Sequence, residues 1–197
     1  IIRAIDNKII SNSDAVILCN EKRIEQIRPS IPKILYIIHN SPELNLKNNS
    51  ELIIPEKKRF RIVFIGGIAK KGRYIFEMIE VIRKRSDCEL IIGGFGSGED
   101  EIKKISQQSE NILFIGKQEY ENVLRIEETA DVLTALYDPS LYNHKYAAPN
   151  KFYEALMLGK PIICAKNTNI DTIIKKERIG WVLDIPENDF ELEFNKA

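Results

Sequence analysis

The segment that most constrains the fold runs Pro149-Asn150-Lys151-Phe152-Tyr153-Glu154-Ala155-Leu156-Met157-Leu158-Gly159-Lys160-Pro161-Ile162-Ile163. Asparagine is a favoured N-cap residue and the proline before it disfavours helix, so a helix is predicted to begin at Asn150. Gly159 and Pro161 then end that helix. The apolar run that starts at Ile162 is typical of a strand buried within a parallel sheet. The segment therefore predicts a loop, a helix and a buried strand in succession.

The first turn of this helix carries a charge that local electrostatics disfavours. Lys151 opposes the helix macrodipole, so its presence makes sense if an anion docks on the free backbone N–H groups there. Glu154 lies three residues on and shares a face with Lys151. A diphosphate at the helix tip and a ribose near Glu154 would use both side chains. Spacing alone favours a simpler alternative, a surface ion pair worth ~0.3 kcal/mol.

Strands and helices alternate regularly from Arg61 onward. The predicted strands are 61–65, 89–92, 112–115, 132–137, 161–165 and 181–183, and the predicted helices are 73–85, 99–108, 119–129, 150–158 and 169–176. This alternation predicts an α/β fold, a doubly wound, Rossmann-like parallel sheet of about six strands with helices on both faces. Ligands bind at the carboxyl ends of the strands in such sheets, so the loops after those ends form the candidate site.

The N-terminal part of the chain is organised differently. Residues 1–42 read as helix, strand, helix and strand, whereas residues 43–60 are polar, carry the basic cluster Lys57-Lys58-Arg59 and read as a linker. The chain begins with Ile1 inside a predicted helix, so we expect it to be a fragment. The predicted division is therefore 1–42, 43–60 and 61–197.

Composition argues against several classes of protein. Lys+Arg and Asp+Glu both number 29, and the aromatic residues are not interleaved with a basic stripe, so no nucleic acid is expected as a partner. The cysteines are far apart, and neither His39 nor His144 has a second ligand at metal-binding spacing, so no metal is expected. Cysteine usage indicates a reducing compartment. No apolar run approaches the ~20 residues of a membrane span, and no signal peptide pattern begins the chain.

Two glycine-rich turns lie at predicted strand ends. Gly66-Gly67 follow the first strand of the alternating region and precede Lys70-Lys71-Gly72-Arg73. Close backbone approach and cations before a helix suit a phosphate, although a tight turn with a solvated basic tip explains these residues equally well. Gly94 and Gly96 follow the next strand in a run that does not satisfy G-x-G-x-x-G, because residue 99 is glutamate. Their lack of side chains still permits close approach of a ligand.

Together these motifs are similar to the C-terminal, donor-binding half of the retaining GT-B glycosyltransferases of the "group 1" class. Residues 1–40 resemble the last α-β-α-β segment of that family's acceptor-binding domain, with Asn40 at the asparagine that precedes the interdomain linker. The order and spacing of the motifs are specific, although each is weak alone. They are Arg61-Ile62-Val63-Phe64-Ile65-Gly66-Gly67, Lys71-Gly72, Leu90-Ile91-Ile92-Gly93-Gly94-Phe95-Gly96, Ile112-Leu113-Phe114-Ile115-Gly116, Ala130-Asp131-Val132, Asp138-Pro139-Ser140, Pro149-Asn150-Lys151-Phe152-Tyr153-Glu154-Ala155, Gly159-Lys160-Pro161-Ile162-Ile163 and Gly180-Trp181-Val182.

The resemblance implies roles for individual residues. Lys71 matches the lysine that binds the donor diphosphate, with Arg73 or Lys70 as substitutes, and Glu154 matches the glutamate that binds the ribose hydroxyls. Lys71 and Glu154 are therefore the expected catalytic pair. The further residues expected to contact the donor are Gly66, Gly67, Arg73, Gly94, Gly96, Gly116, Lys117, Tyr146, Asn150, Lys151 and Phe152.

Two positions depart from the family pattern. The diphosphate-binding arginine of the family falls at Gly67, and the first glutamate of its two-glutamate motif falls at Tyr146. Neither that guanidinium nor that carboxylate is therefore available to the donor. A non-catalytic nucleotide-sugar-binding module stays open as an alternative, as does a sugar-nucleotide epimerase of the GT-B type.

The resemblance implies transfer of a sugar with retention, without a metal or cofactor. The expected co-substrate is a nucleotide sugar such as a UDP- or GDP-sugar. The acceptor would be a saccharide or lipid-linked molecule held by the N-terminal domain, in surface polysaccharide or glycoconjugate assembly. The expected location is cytoplasmic, and peripheral association with the inner face of the membrane is left open. With most of the acceptor domain absent, these residues alone are expected to be inactive.

Overall fold

The computed structural model describes residues 2–42, 54–185 and 189–197. Residues 43–53 of the predicted linker lie outside them. The N-terminal elements are α1 (Ile2–Asn12), β1 (Val16–Leu18), α2 (Arg23–Ile27) and β2 (Leu35–Ile37). β1 and β2 pair in parallel, with Val16 opposite Leu35, in a two-stranded sheet of their own. The order of these elements is the one predicted, and the division into domains stays a prediction.

The remaining strands form one sheet. They are β3 (Phe60–Gly67), β4 (Cys88–Phe95), β5 (Ile112–Gly116), β6 (Val132–Ala135), β7 (Ile162–Ala165) and β8 (Gly180–Leu183). The sheet has six strands in the order β5-β4-β3-β6-β7-β8, and every neighbouring pair is parallel. The predicted doubly wound parallel sheet is confirmed.

The helices follow the predicted positions closely. They are α3 (Ile75–Ile82), α4 (Glu99–Gln107), α5 (Tyr120–Glu128), α6 (Asn150–Leu158), α7 (Asp171–Glu177) and α8 (Phe190–Phe194), with a 3₁₀ helix at Tyr142–Tyr146. α3 starts later than predicted because Tyr74 takes a left-handed conformation with φ 52°. α8 and the 3₁₀ helix were not predicted.

The side chains of the central strand alternate between two apolar cores. Ile62 and Phe64 pack in a core with α3, α4 and α8, whereas Val63 and Ile65 pack in a core with α5, α6 and α7. Because successive side chains of a strand point to opposite faces, a strand buried on both faces reads as a continuous apolar run. β3 therefore lies at the centre of a three-layer structure.

The start of α6 differs from the prediction in one respect. The capping position is Pro149, with φ −67° and ψ 134°, and Asn150 is the first residue of the helix. Proline has the backbone angle that the chain needs just before a helix, so a side-chain cap at Asn150 is not required. The Oδ1 of Asn150 instead accepts a hydrogen bond from Asn40 Nδ2 at 3.0 Å. Gly159 ends the helix with φ 64°, as predicted.

The strand order reverses beside β3. The chain passes from β3 to β4 and β5 on one side, and then returns to place β6 on the other side of β3. A crevice forms outside the carboxyl ends of the strands at such a reversal, where ligands of open α/β sheets bind. The residues that follow β3 and β6 are therefore expected to line the ligand site.

A buried ion pair supports the opposite end of the sheet. The Arg61 Nε donates to Glu89 Oε1 at 2.7 Å, and the exposed fractions of these residues are 0% and 4%. Arg61 also donates to Thr129 Oγ1 at 3.0 Å and to the Pro55 carbonyl at 2.8 Å. The segment that enters β3 is thereby tied to the amino end of the sheet.

Candidate functional site

The crevice beside β3 is lined by two loops that contact each other. One follows β3 and contains Lys71 and Gly72, and the other follows β6 and contains Asp138. The Asp138 N–H donates to the Gly72 carbonyl at 3.0 Å. Gly72 has φ 81°, and a Cβ there would lie 2.7 Å from Leu141 Cδ1. Glycine at this position therefore permits the close approach that holds the Lys71 loop in place.

Lys151 is the central cation of the crevice. Its side chain is buried, with 9% of the residue exposed, and its Nζ lies 4.9 Å from the centre of the Phe64 ring. A Cβ on Gly66 would lie 2.7 Å from the same Nζ. The ammonium group therefore lies against the end of β3. The alternative of a surface ion pair with Glu154 is wrong, because both residues are buried.

The charge of Lys151 is not neutralised by a direct partner. Within residues 2–42, 54–185 and 189–197, no hydrogen bond or ion pair to this side chain is formed. Burial lowers the pKa of Lys151 from 10.5, and the Arg73 guanidinium lowers it further, while Glu127 and Glu154 oppose the shift. An anion beside the ammonium group would offset the cost of its burial.

The loop after β3 contributes further cations. Lys70 Nζ forms an ion pair with Glu101 Oε2 at 3.1 Å, so its charge already has a partner. Lys71 is exposed, and the Arg73 guanidinium lies 4.3 Å from the centre of the Tyr137 ring. Arg73 is also close enough to Lys151 to affect its pKa. Arg73 and Lys151 thus lie near each other at the carboxyl end of β3, and Lys71 belongs to the same loop as Arg73.

Glu154 lies one turn along α6 from Lys151. Only 3% of the residue is exposed, and the Tyr120 hydroxyl hydrogen-bonds to its carboxylate. Burial raises the pKa of Glu154 above 4.5, while Lys151 and the hydrogen bond from Tyr120 oppose the shift. Its carboxyl group is also close enough to Glu127 on α5 that each of the two groups affects the pKa of the other. Glu154 therefore has both Tyr120 and Glu127 as neighbours in the interior.

The glycines at the strand ends differ in whether the surrounding structure leaves room for a side chain. A Cβ on Gly94 would lie 1.8 Å from the Gly66 carbonyl oxygen, and a Cβ on Gly96 would lie 2.1 Å from that of Ile68. Close packing of β4 against β3 therefore explains both, and their contact with a donor stays a prediction. Gly67, in contrast, has no atom within 4 Å of a Cβ built on it.

Gly116 and Lys117 lie at the end of β5. Gly116 has φ 67°, and the Nζ of Lys117 lies 5.5 Å from the centre of the Phe95 ring at the end of β4. Phe95 is exposed, although it is apolar and aromatic. These residues form the rim of the sheet two strands away from Lys151, and their contact with a base stays a prediction.

The predicted residues at the start of α6 have separate environments. Asn150 is exposed, whereas Phe152 is buried in the core and its N–H donates to the Pro149 carbonyl at 3.0 Å. Tyr146 packs edge-on against Tyr142, with ring centres 5.3 Å apart. The structure brings Gly66, Arg73, Lys151 and Glu154 into one neighbourhood, and it places Phe152 beneath it.

The N-terminal segment contacts this site. Asn40 Nδ2 donates to the Ala148 carbonyl and to Asn150 Oδ1, both at 3.0 Å, and the Nδ1 of His39 lies 3.1 Å from the Tyr153 hydroxyl. Asn20 Nδ2 donates to the Tyr146 carbonyl at 3.1 Å. A cavity of about 240 Å³ lies at this junction. Its lining residues are Asn40, Ser41, Pro42, Tyr120, Asn150 and Tyr153.

Larger cavities lie at the other end of the sheet. One of about 500 Å³ is lined by Arg59, Arg83 and Asn111, and one of about 710 Å³ by Lys160, Arg178 and Trp181. Both lie near the amino ends of strands, where open parallel sheets do not bind their ligands. We therefore place the candidate site in the crevice that holds Arg73 and Lys151, and the smaller cavity lies at Asn150, the residue before Lys151.

Sequence reasoning missed Glu127 and Tyr120. Glu127 has the clearer signal, because it lies four residues after Val123 and three before Ala130, on the apolar face of α5. A carboxyl group at such a position has to find a partner in the interior. Within the described parts of the chain, no group of three or more His, Cys, Asp or Glu side chains is arranged to hold a metal ion.

The six-stranded parallel sheet flanked by helices matches one half of the GT-B glycosyltransferase fold. The chain belongs to the family described as "Glycosyl transferases group 1", whose model matches residues 59–197. The comparison with curated proteins gave no match. Among the helices that the structure describes, none combines the length and apolar character needed to cross a membrane.

Solved structures share the fold at low sequence identity. Sucrose-phosphate synthase from Thermosynechococcus elongatus is 17% identical, with a TM-score of 0.71 over 99% of this chain and 50% of that one. HepE from Anabaena, in complex with UDP and glucose, is 15% identical, with a TM-score of 0.65 over 98% and 55%. WaaG, a glycosyltransferase involved in lipopolysaccharide biosynthesis, is 14% identical, with a TM-score of 0.63 over 91% and 52%. The chain spans about half the length of these structures.

Proposed function

We propose that this chain binds the nucleotide-sugar donor of a glycosyltransferase at the crevice between β3 and β6. The observation that carries the proposal is the buried ammonium group of Lys151, which lies against Gly66 without a direct ionic partner in the described residues. A buried cation is stable when an anion completes its environment. The diphosphate of a nucleotide sugar is such an anion, and the first turn of α6 favours it further.

The three cations would act on the charge that builds up during transfer. As the bond from the sugar to the diphosphate breaks, negative charge develops on the leaving group, and Lys71, Arg73 and Lys151 would stabilise it. These cations take the place that a metal ion has in other phosphate sites, so the proposed transfer needs no metal. Glu154 would hold the ribose and thereby align the sugar for attack with retention of configuration.

The base and the acceptor are proposed from the structural neighbours. UDP is the first candidate, because HepE is similar in fold and its structure holds UDP. A saccharide or lipid-linked acceptor in surface polysaccharide or glycoconjugate assembly agrees with the description of WaaG. The acceptor would bind in the part of the neighbours' length that this chain does not span.

Titration calorimetry with UDP, GDP and ADP tests donor binding directly. We expect one of the three to bind the chain, with weak affinity because the chain spans about half the length of its structural neighbours, and to bind equally well in EDTA. Failure of all three to bind a folded sample at millimolar concentration would contradict the proposal. For the enzyme with its acceptor half, the configuration of the product's new glycosidic bond, measured by NMR, tests retention.

A non-catalytic nucleotide-sugar-binding module is the second candidate. It is favoured by Gly67, which provides no guanidinium, and by Tyr146, whose phenol packs against Tyr142 where the family has a carboxylate. The two candidates differ in turnover. Binding of UDP without transfer or hydrolysis of a UDP-sugar by the whole protein would favour the module.

A further inference from the structure

A second buried carboxyl group lies behind the proposed ribose-binding glutamate. Glu127 on α5 is completely buried, with 0% of the residue exposed. α5 packs beside α6, and the Glu127 and Glu154 carboxyl groups are close enough that each affects the pKa of the other. Neither Oε1 nor Oε2 of Glu127 has a donor among the residues that the structure describes. A buried carboxylate without any donor is unstable, so this arrangement requires an explanation.

A single proton on one of the two carboxyl groups would provide the missing hydrogen-bond donor. Two carboxylates can only accept hydrogen bonds, so they cannot bond to each other while both are ionised. If Glu127 is protonated, its hydroxyl can donate to Glu154, and both groups are satisfied. The charges of Glu127, Glu154 and Lys151 then sum to zero, although Lys151 forms no direct ion pair with either carboxyl group, whereas two ionised carboxyls would leave an excess negative charge.

The surroundings favour Glu127 as the protonated member. Burial and the neighbouring Glu154 raise the pKa of Glu127 from 4.5 to about 8, and Lys151 only partly opposes the shift. From α6, the charged groups that face it are Lys151 and Glu154. From β3, apolar residues share a core with α5, and Arg61 donates to Thr129 Oγ1, just beyond the end of α5.

We propose that Glu127 and Glu154 share one proton, and that Glu127, as its holder, positions the Glu154 carboxylate for the ribose hydroxyls of the donor. This inference rests on the proposed function, because Glu154 is the group that would meet the ribose. Glu127 is a positioning residue, since it acts through Glu154 and does not touch the donor. Loss of the proton turns an attractive contact into repulsion between two carboxylates, which displaces Glu154.

Two substitutions of Glu127 distinguish positioning from a merely structural role. Glu127→Gln keeps the shape and always offers an N–H donor to Glu154, whereas Glu127→Leu offers none. Affinity for UDP is measured by calorimetry from about pH 7 to about pH 8.5, below the range in which the uracil N3–H ionises. We expect wild-type affinity to fall as the pH passes about 8, Glu127→Gln to stay constant, and Glu127→Leu to bind about tenfold more weakly at pH 7. Glu128→Gln, at an exposed neighbour, serves as the control and should behave as wild type.

The shared proton is measured independently of any ligand. Side-chain carboxyl ¹³C shifts of the free protein should show Glu127 and Glu154 titrating as a coupled pair, and Glu127→Gln should return Glu154 to a single lower step. Separate titrations of both groups near pH 4.5 would overturn the shared proton. A Glu127→Gln profile identical to wild type, or unchanged UDP affinity in folded Glu127→Leu, would overturn the positioning role. Absence of UDP binding by folded wild type contradicts the proposed function and the positioning role together, while the carboxyl titration still decides the shared proton.

Discussion

The ammonium group of Lys151 occupies the space that a side chain at position 66 would need. A Cβ on Gly66 would lie 2.7 Å from the Lys151 Nζ, which is closer than two such atoms can approach. Gly66 is the last but one residue of β3 and Lys151 is the second residue of α6, and more than 80 residues of sequence separate the two. The absence of a side chain at Gly66 therefore determines where the cation lies.

Gly66→Ala should displace the ammonium group. The clash is with the end of a flexible side chain, so we expect the free energy of unfolding in urea to change by less than about 1 kcal/mol. UDP binding should weaken by about tenfold, the equivalent of one hydrogen bond to a charged group. Gly67→Ala is the matched control, since a Cβ there meets nothing within 4 Å. Equal UDP affinities for the two variants would show that UDP binding does not depend on the position of the Lys151 ammonium group.

Gly67→Arg should strengthen the binding of nucleoside diphosphates. The position is open, and the resemblance implies that the family's diphosphate-binding arginine falls there. One new charge-assisted contact should raise UDP affinity by about tenfold, with a steeper dependence on salt than in wild type. Uridine, which has no phosphate, provides the control ligand and should bind as before. A gain for uridine as large as for UDP would argue against a phosphate at this end of β3.

The ion pair between Arg61 and Glu89 should be essential to stability as a pair. Removal of one partner leaves a buried charge, so Glu89→Ala should lower the free energy of unfolding by about 3–5 kcal/mol. Arg61→Met combined with Glu89→Leu should recover much of that loss. Lys84 and Glu191 form an exposed pair at 2.7 Å, and Glu191→Ala should cost less than about 1 kcal/mol. Urea unfolding measures all of these, and similar losses for both pairs would contradict the expected effect of burial.

Glu127→Gln should change how stability depends on pH. The folded chain keeps a proton on Glu127 up to about pH 8, while the unfolded chain releases it near 4.5, so this group's contribution to the free energy of unfolding falls across that window. Glutamine does not titrate. The stability of the variant relative to wild type should therefore increase from pH 5 to pH 8 in urea unfolding. A difference that stays constant with pH, as expected for the exposed control Glu128→Gln, would mean that Glu127 is ionised in the folded protein.

The fold follows from the sequence more completely than the site does. The apolar runs that became β3 and β4 predict a doubly buried parallel sheet, because only such strands lack polar alternation. α8 was missed because it is short and has no clear local pattern. It is stabilised instead by Phe190 and Phe194, which pack in the core on the α3 side of the sheet.

The environment of Lys151 could not be predicted from its spacing to Glu154. Helical periodicity shows that the two share a face, but whether that face is buried depends on β3 and on the absence of a side chain at Gly66. The partnership of Glu127 with Glu154 likewise depends on how α5 packs against α6. Pairwise tertiary contacts of this kind have no signature in a local window of sequence.

The most direct test of donor binding compares UDP with uridine for Lys151→Met. Methionine keeps the packing against Phe64 and removes only the charge. We predict that the affinity for UDP falls by about tenfold to a hundredfold while that for uridine changes less than about twofold, because only UDP carries the diphosphate. Lys175→Met, which removes an exposed charge from α7, should leave both affinities unchanged. A folded Lys151→Met variant that binds UDP as tightly as wild type would contradict the assignment of this crevice as the diphosphate site.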